Sequence, residues 1–363
     1  MSFNFLDKFF SRFFPVPSFL AVSSFGLDVG DESIKFIELK NSKNGIRVGR
    51  HGECPIPPGI IEAGKIKNTN RMEEILLSLR TSGIKSVRVS VPEEQVYLFK
   101  LRLGKAGLVS IREGIEFSIE DHVPLQSSEA IFDYELLSED EAGLDLQVAV
   151  IPKNVIEDYL GIFERSGVRV QSFELEPQAI ARVVIKKGDL DTYMIVDFGE
   201  KRTGIFIVSR GMVIFASTLD VGGVMLSNTI AKNFKISFEE AEKMKRNYGL
   251  LRNAPNKELF SVLLNSVSIL RDEVAKHFLY WHTHKDEEGK SNPVIKKIIL
   301  CGGDSNLIGL SDYLSVSLKT EVGMANVWVN IIDMENNIPE INFKQALSFA
   351  AALGLAMGDF NRN

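Results

Sequence analysis

Two short glycine turns, each placed just after an aspartate, constrain this chain more than any other feature of its sequence. The first closes residues 25–30 (FGLDVG) and the second closes residues 194–199 (MIVDFG). In both, apolar runs flank the turn, which predicts strand, tight turn and strand. One such corner is usually a plain hairpin turn. Two of them, each opening a similar order of elements, predict two related lobes.

The residue types at these turns indicate a nucleotide site between the lobes. Asp28 and Asp197 stand at strand ends, where a carboxylate can hold a hydrated metal ion. Gly30 and Gly199 follow them, and glycine lets backbone N–H groups approach a phosphate without a side chain in the way. The sequence therefore predicts a nucleotide clamped between two halves of the chain.

Strand and helix patterns divide the chain into segments. Three strands, a helix and a strand begin the first half, and strands at 194–197, 205–209 and 212–218 open the second half in the same way. This order predicts a duplicated α/β fold of two lobes. The predicted segments are an N-terminal segment at 1–20, a first lobe at 21–190 with a small α+β insertion at 85–153, and a second lobe at 191–363 with a helical subdomain at 236–294.

Composition excludes several classes of function. The net charge of −6 argues against a dedicated nucleic-acid binder, because such proteins usually present a basic stripe. Cys54 and Cys301 lie far apart and form neither a metal-ligand spacing nor a disulfide framework. No run reaches the ~18–20 apolar residues of a membrane span. The length of 363 residues favours two lobes over one core.

The N-terminal segment needs a separate interpretation. Residues 3–14 place phenylalanines and a leucine on one face of a helix and polar, mildly basic side chains on the other. Such a helix could lie on a membrane surface, enter a partner's groove or pack on its own domain. Pro15 and Pro17 break the apolar stretch that follows, which disfavours a signal peptide.

Several stretches, in their order and spacing, resemble one protein family over essentially the whole chain. They lie at 26–30, 34–39, 114–117, 123–124, 132–134, 173–182, 221–223, 240–245 and 351–356. With its two hairpins, its Glu176-Pro177 helix start and its Gly302-Gly303 turn, the chain resembles the PilM family of type IV pilus assembly proteins, within the actin and heat-shock chaperone ATPase superfamily. The resemblance implies a duplicated actin-like (ribonuclease H-like) α/β fold, with ATP and Mg²⁺ as cofactors.

The resemblance also implies a role for each residue of the site. Asp28 and Asp197 would hold Mg²⁺ through water and Glu176 would orient the attacking water, so these three are the expected catalytic residues. The residues expected to contact the nucleotide are Gly30, Ser33, Lys35, Gly199, Thr203, Gly222, Gly223, Glu242, Lys245, Gly302 and Gly303. Among these, Glu242 and Lys245 share a helix face that would contact the ribose, and the Gly302-Gly303 turn would pass under the adenosine.

Two departures from the family pattern bear on activity. The first hairpin carries Asp31 and Glu32 where relatives mostly have small hydroxyl residues, and carboxylates beside a triphosphate would repel it. The second hairpin carries Lys201 and Arg202, whose positive charges would offset the acidic first turn. We therefore expect ATP binding with slow or absent hydrolysis.

The function that the resemblance implies is that of an adaptor at the cytoplasmic face of the inner membrane, in type IV pilus assembly or related type II secretion. The expected partner is the N-terminal cytoplasmic tail of a PilN-like single-span membrane protein, lying in a groove beside the insertion at 85–153. Residues 3–14 offer a further contact with the membrane surface. A dimer or a weak polymer is compatible with this interpretation.

Two other functions stay open. An FtsA-like cell-division ATPase would form membrane-tethered filaments. That family usually ends in an amphipathic membrane helix, a pattern that residues 356–363 do not show. An actin-fold sugar or metabolite kinase would need a catalytic aspartate in a cleft of the first lobe, for which the sequence offers no convincing candidate. These differences favour the pilus adaptor.

Overall fold

The computed structural model describes residues 24–360, apart from 43–44, 92, 105–109, 253–256, 286–288, 290 and 333–337. The predicted N-terminal segment at 1–20, including the apolar face at 3–14, lies outside the described residues. Within the described part, no helix combines the length and the apolar character needed to cross a membrane.

The strands and helices are named in chain order. The strands are β1 (Phe25–Val29), β2 (Ser33–Ser42), β3 (Gly45–Pro55), β4 (Ile61–Glu62), β5 (Lys65–Ile66), β6 (Ser86–Val91), β7 (Tyr97–Gly104), β8 (Ala130–Glu139), β9 (Gly143–Pro152), β10 (Arg169–Leu175), β11 (Thr192–Phe198), β12 (Thr203–Ser209), β13 (Met212–Leu219), β14 (Ile295–Cys301) and β15 (Val322–Met324). The helices are α1 (Thr69–Thr81), α2 (Ile111–His122), α3 (Lys153–Ser166), α4 (Glu176–Val184), α5 (Gly223–Phe234), α6 (Phe238–Tyr248), α7 (Lys257–Thr283), α8 (Leu310–Leu318), α9 (Phe343–Ala346) and α10 (Ala350–Ala356). A short 3-10 helix, Glu93–Gln95, lies between β6 and β7.

Two five-stranded sheets with the same plan form the two lobes. The first sheet has the order β10-β6-β1-β2-β3 and the second the order β15-β14-β11-β12-β13. In each sheet three consecutive strands pair antiparallel, and the first of the three pairs with a parallel strand on its other side. This repeated topology confirms the predicted duplicated α/β fold of two lobes.

Both sheets are covered on both faces. One face of the first sheet packs on α1 and α3, where Met72, Leu76 and Phe163 are buried, and α5, α7 and α8 cover the equivalent face of the second sheet. The other faces share one apolar cluster with α4 and α10, which includes Ile37 and Phe206. Because water is excluded from both faces, the central strands are nearly continuous apolar runs in the sequence.

A separate sheet projects from the first lobe. It has the order β7-β9-β8, and α2 packs on one face through Ile115 and Ile119. The predicted insertion at 85–153 begins too early, because β6 lies between β10 and β1 in the first core sheet. The inserted sheet begins at Tyr97, after the 3-10 helix.

The last helix returns to the first lobe. Although it falls in the predicted second lobe at 191–363, α10 packs against β1, β2 and α4. A Cβ on Gly26 of β1 would overlap the backbone of Ala352, and a Cβ on Gly354 would overlap the backbone of Ala179 in α4. The lobes are therefore joined at a crossing of two helices whose backbones touch.

We expect Gly354→Ala to destabilise the protein by about 1–3 kcal/mol, because the added methyl group would force α10 away from α4. The sign is informative, since Gly→Ala in a helix is normally favourable. Urea unfolding measures the change in the free energy of unfolding. The matched control is Gly323→Ala in β15, where a Cβ would meet no atom within 4 Å. Equal midpoints for both variants would contradict the close crossing.

Candidate nucleotide site

The two hairpins place their aspartates at equivalent positions of the two sheets. Asp28 of β1 pairs with Lys35 of β2, and Asp197 of β11 pairs with Gly204 of β12. Cross-strand partners lie on the same face of a sheet, so Lys35 stands beside Asp28. Gly204 has no side chain to offer Asp197, and the Glu93 carboxylate of the first lobe comes within 3.0 Å of where its Cβ would lie.

Desolvation and neighbouring charges set the protonation of these aspartates. Desolvation raises the pKa of Asp28, while Lys35 and a 2.9 Å hydrogen bond from Ser90 Oγ oppose the rise. Desolvation and the charge of Asp28 raise the pKa of Asp197 from its ordinary value of 3.8 to about 6. Desolvation alone would lower the pKa of Lys35, but Asp28 and Glu53 raise it overall. The charge of Asp28 therefore acts across the cleft to raise the pKa of Asp197.

Glu176 stands in the same cleft, as the first residue of α4. Desolvation raises its pKa well above the ordinary value, and the charges of Asp28, Glu93 and Asp197 raise it further. The residue predicted to orient water therefore shares the cleft with both of the aspartates predicted to hold the metal.

Glu93 belongs to this cluster, although the sequence pattern did not identify it. Its Oε1 accepts a 2.6 Å hydrogen bond from Thr218 Oγ1 of β13, and among the described residues no group donates to its buried Oε2. Desolvation, with a contribution from Asp197, raises the pKa of Glu93 to about 8. The position of Glu93 after a strand could have identified it. Glu93 follows β6, which runs parallel to β1. Because the carboxyl ends of parallel strands meet at one edge of a sheet, Glu93 is expected near Asp28.

The side chains predicted to contact phosphate have partners inside the protein. Ser33 Oγ donates to Glu53 Oε1 at 2.6 Å, and Thr203 Oγ1 donates to the carbonyl of Val221 at 2.5 Å. Lys35 Nζ lies 3.1 Å from Ser33 Oγ and 3.4 Å from Glu53 Oε1. A phosphate that engaged Ser33 or Lys35 would replace these internal bonds.

The predicted glycines of the hairpins close their own turns. The N–H of Gly30 donates to the carbonyl of Ser33 at 3.0 Å, and the N–H of Gly199 donates to the carbonyl of Arg202 at 2.9 Å. These equivalent bonds close both turns over the same number of residues.

The charged residues that depart from the family pattern pair with each other between the lobes. Lys201 of the second hairpin pairs with Glu32 of the first, and Arg202 pairs with Asp31. Two backbone N–H groups in the turn between β4 and β5 donate to the Asp31 carboxylate, each at 3.1 Å. The predicted compensation of the acidic turn is confirmed, and it takes the form of ion pairs that connect the two hairpins.

A second cluster lies where α6 approaches the start of α5. Lys245 of α6 is only 3 % exposed. Its Nζ lies 2.8 Å from Glu242, 2.7 Å from Asp304 and 3.1 Å from the carbonyl of Gly223. The structure thus brings the predicted ribose-contacting pair to one of the predicted glycine turns. Asp304, which the sequence did not single out, is the fourth member of this cluster.

Gly222 and Gly223 allow a close backbone approach to the second hairpin. A Cβ on Gly222 would overlap the backbone at 200–202, and a Cβ on Gly223 would overlap the Asp304 carboxylate. The N–H of Gly223 donates to the carbonyl of Gly199 at 3.0 Å. The helix α5 therefore begins directly on the second hairpin.

The Gly302-Gly303 turn lies against the end of β11. Gly302 has a φ of +86°, and a Cβ there would come within 2.5 Å of Asp197 Oδ1. Around Gly303 there is more space, since the nearest atom to a Cβ would be Ser348 Cβ at 3.5 Å. This turn therefore reaches the carboxylate cluster on one side and leaves room on the other.

The donor set of the cleft fits a magnesium nucleotide. Asp28, Glu93, Glu176 and Asp197 face one another with Lys35 as a counter-charge, and hard carboxylate oxygens are ligands that Mg²⁺ prefers. Within the described residues, no three acidic, histidine or cysteine side chains are arranged to ligate a metal directly. A cation here would contact these oxygens through its own water molecules.

We expect Asp197→Asn to stabilise the nucleotide-free protein at pH 8. The pKa of Asp197 is about 6 in the folded state against an ordinary 3.8, so the folded state binds this proton more tightly. The resulting stability is complete below about pH 4 and is lost as the pH rises through 6. Asparagine removes the desolvated charge and should raise the free energy of unfolding at pH 8 by about 1–3 kcal/mol.

Urea unfolding at pH 4 and at pH 8 tests this expectation. The gain should be present at pH 8 and largely absent at pH 4. Asp158→Asn, on the exposed side of α3, is the matched control and should change neither value. A loss of stability at pH 8 for Asp197→Asn would contradict the charge repulsion described for the cleft.

The sequence profile of the family described as type IV pilus assembly protein PilM matches residues 26–360. Among solved structures, the chain is similar to the PilM-PilN type IV pilus biogenesis complex, with a TM-score of 0.73 and 21% identity over 93% of this chain and 98% of that chain. This likeness shows that the two share a fold.

Two curated proteins are also similar. Ethanolamine utilization protein EutJ of Escherichia coli is 33% identical over 118 residues, which cover 32% of this chain and 38% of that protein. The match thus spans well under half of EutJ. Cell division protein FtsA of Staphylococcus epidermidis is 21% identical over 345 residues, which cover 82% of this chain and 72% of that protein.

The family match includes both hairpins, the inserted sheet, the start of α4 and the Gly302-Gly303 turn. The fold match extends over nearly the same length. The chain therefore belongs to the PilM family of type IV pilus assembly proteins.

Proposed function

We propose that this protein binds Mg-ATP between its lobes. We also propose that it serves in type IV pilus assembly as an adaptor that binds the cytoplasmic tail of a PilN-like membrane protein. The observation that carries the nucleotide part is the cluster of four carboxylates between two matching glycine hairpins. The charges of Asp28, Glu93 and Asp197 raise the pKa of Glu176, and a bound cation would relieve this repulsion. Membership of the PilM family supports the adaptor part.

On this proposal different residues of the cleft contact different parts of the Mg-ATP. Asp28 and Asp197 would hold the hydrated cation, and Glu176 would orient a water molecule toward the terminal phosphate. The cation, when bound, supplies positive charge to the phosphate oxygens. Glu242 and Lys245 would hold the ribose where α6 meets α5.

We expect hydrolysis to be slow because the charged groups of the two hairpins are engaged with one another. Asp31 and Glu32 follow the first aspartate, and carboxylates beside a triphosphate would repel it. Lys201 and Arg202 are paired with Glu32 and Asp31. The cleft is therefore better suited to holding a nucleotide than to cleaving it.

The partner tail is proposed to lie between the inserted sheet and the first lobe. Leu98 of β7 packs against the cluster that contains α4, so this face of the sheet looks toward the lobe. Gln147 of β9 lies on the same face, is 5 % exposed, and has no donor to its Oε1 among the described residues. A peptide N–H would satisfy this oxygen. The edge strand β8 adds the exposed apolar side chain of Ile131 to this face.

On this proposal the tail recruits the protein to the cytoplasmic face of the inner membrane. Residues 3–14 would add a contact with the membrane surface, and self-association would be limited to a dimer or a weak polymer. The similarity to FtsA supports an alternative in which the protein forms membrane-tethered filaments. Electron microscopy with Mg-ATP and lipid vesicles separates the two, because the alternative predicts long filaments on the vesicles and the adaptor does not.

Asp197→Ala should abolish Mg-ATP binding, because it removes one of the two carboxylates proposed to hold the cation. Isothermal titration calorimetry of the full-length protein measures the affinity. Asp158→Ala, at the exposed position on α3, should bind as the wild type does. Unchanged affinity in Asp197→Ala would remove the assignment of the cleft.

A synthetic peptide of the PilN-like cytoplasmic tail should bind the full-length protein, and a scrambled peptide should not. Gln147→Leu should weaken this binding by about fivefold to tenfold, since it removes the acceptor for a peptide N–H. Fluorescence anisotropy of a labelled peptide measures both affinities. Equal affinity for the native and scrambled peptides would count against the adaptor function.

A further inference from the structure

The buried ammonium group of Lys245 has all of its hydrogen-bond donors engaged within the protein. A lysine ammonium has three N–H donors, and three acceptors surround this one. They are Glu242 Oε2 at 2.8 Å, Asp304 Oδ1 at 2.7 Å and the carbonyl oxygen of Gly223 at 3.1 Å. A ribose hydroxyl could reach the ammonium only by displacing one of these bonds. Lys245 therefore acts on a ribose through the two carboxylates that it holds in place.

These two carboxylates differ in how many further hydrogen bonds they can accept. A carboxylate has about four lone-pair sites. Glu242 accepts from Ser227 Oγ and Lys245 Nζ at Oε2 and from Arg246 Nε at Oε1, so that about one site is left. Among the described residues, Asp304 accepts only from Lys245, through Oδ1, and its Oδ2 has no donor. Most of the unused acceptor capacity of the cluster therefore belongs to Asp304.

The position of Asp304 suits contact with a ribose. Asp304 directly follows the Gly302-Gly303 turn, which is predicted to pass under the adenosine, and its carboxylate lies against Gly223 at the start of α5. Its side chain is 17 % exposed, so the carboxylate is held by its neighbours and is still accessible to a ligand. Ribose hydroxyls are donors, and dinucleotide-binding folds use an acidic side chain to accept from them.

We propose that Asp304 is the main acceptor for the ribose hydroxyls and makes the site selective for ribonucleotides. This selectivity rests on the proposed binding of Mg-ATP between the lobes. The 2′- and 3′-hydroxyls of a ribose are adjacent and can both donate to one carboxylate. A nucleotide without them would cover the carboxylate of Asp304 and supply no donor in place of water, and this loss is larger for a charged acceptor than for a neutral one.

A purely structural role for Asp304 predicts a different result. A carboxylate that only anchored Lys245 would, when removed, disturb the start of α5 and weaken the binding of every adenine nucleotide by a similar factor. A carboxylate that accepts from the ribose would, when removed, weaken the nucleotides that carry the hydroxyls more than those that lack them. The ratio of two affinities in the same variant therefore separates the two roles.

Isothermal titration calorimetry of the full-length protein measures the affinities for Mg-ATP and for the magnesium complex of 2′,3′-dideoxy-ATP. We expect the wild type to bind the dideoxy nucleotide at least about tenfold more weakly. In Asp304→Ala the ratio of the two affinities should fall to about two, the remaining preference coming from Glu242. Asp304→Asn keeps the shape and one acceptor oxygen and should give an intermediate ratio, which also supplies the measurement where the alanine variant does not fold.

The matched control is Asp312→Ala, at an exposed position in the first turn of α8, and it should keep both wild-type affinities. Equal affinities of the wild type for the two nucleotides would overturn the selectivity. The wild-type ratio in both Asp304→Ala and Asp304→Asn would overturn the role of Asp304, even where Mg-ATP binds more weakly. Failure of the wild type to bind Mg-ATP at all is a separate result, and it would overturn the proposed nucleotide binding together with this inference.

Discussion

The backbone contact between α4 and α10 determines how the two lobes can be arranged. Gly354 and Ala179 leave no space for a side chain between the helices. The backbones are therefore in contact, and this contact fixes the separation of α4 and α10 where they cross. The crossing is reinforced by Arg182 of α4, which donates to the carbonyl of Gly354 at 2.6 Å and pairs with Glu174 at 2.7 Å. Since Glu176 begins the same α4, the place of this carboxylate in the cleft depends on a contact made further along the helix.

The cleft combines strong repulsion with internal compensation. Desolvation raises the pKa of Asp28, Glu93, Glu176 and Asp197, and the mutual charge of these groups makes the nucleotide-free state less stable at neutral pH. Ion pairs between the hairpins act in the opposite direction by holding the lobes together. Such a balance is typical of binding sites, where stability is lower than the fold alone would allow.

Local patterns were sufficient to predict the repeated part of the fold. The hairpins at Asp28 and Asp197 are short-range features, because the turn, the glycine and the flanking strands lie within a few residues of one another. The strands and helices of both lobes follow from the same kind of periodicity. The start of the insertion did not, because a strand that leads into an insertion has the same local pattern whether it belongs to the core or to the inserted sheet.

Tertiary contacts decide what the sequence could not predict. Glu93 and Asp304 enter the two clusters of the site from segments far away in sequence, and only the tertiary contacts show which cluster each one joins. In the sequence, α10 is a stretch of small and apolar residues with no feature that assigns it to either lobe. Its packing on Gly26 shows that it completes the first lobe. The pairing of Lys201 and Arg202 with the acidic turn was predictable from charge alone, but the pairing of Arg202 with Glu94 was not.

The packing of α10 on β1 also has a consequence for biosynthesis. β1 leaves the ribosome long before α10 does. Until α10 emerges, Gly26 and the neighbouring apolar side chains of the first sheet have no cover on that face. The first lobe therefore cannot finish folding until α10 has been synthesised, and until then the uncovered face is a natural site for a chaperone to bind.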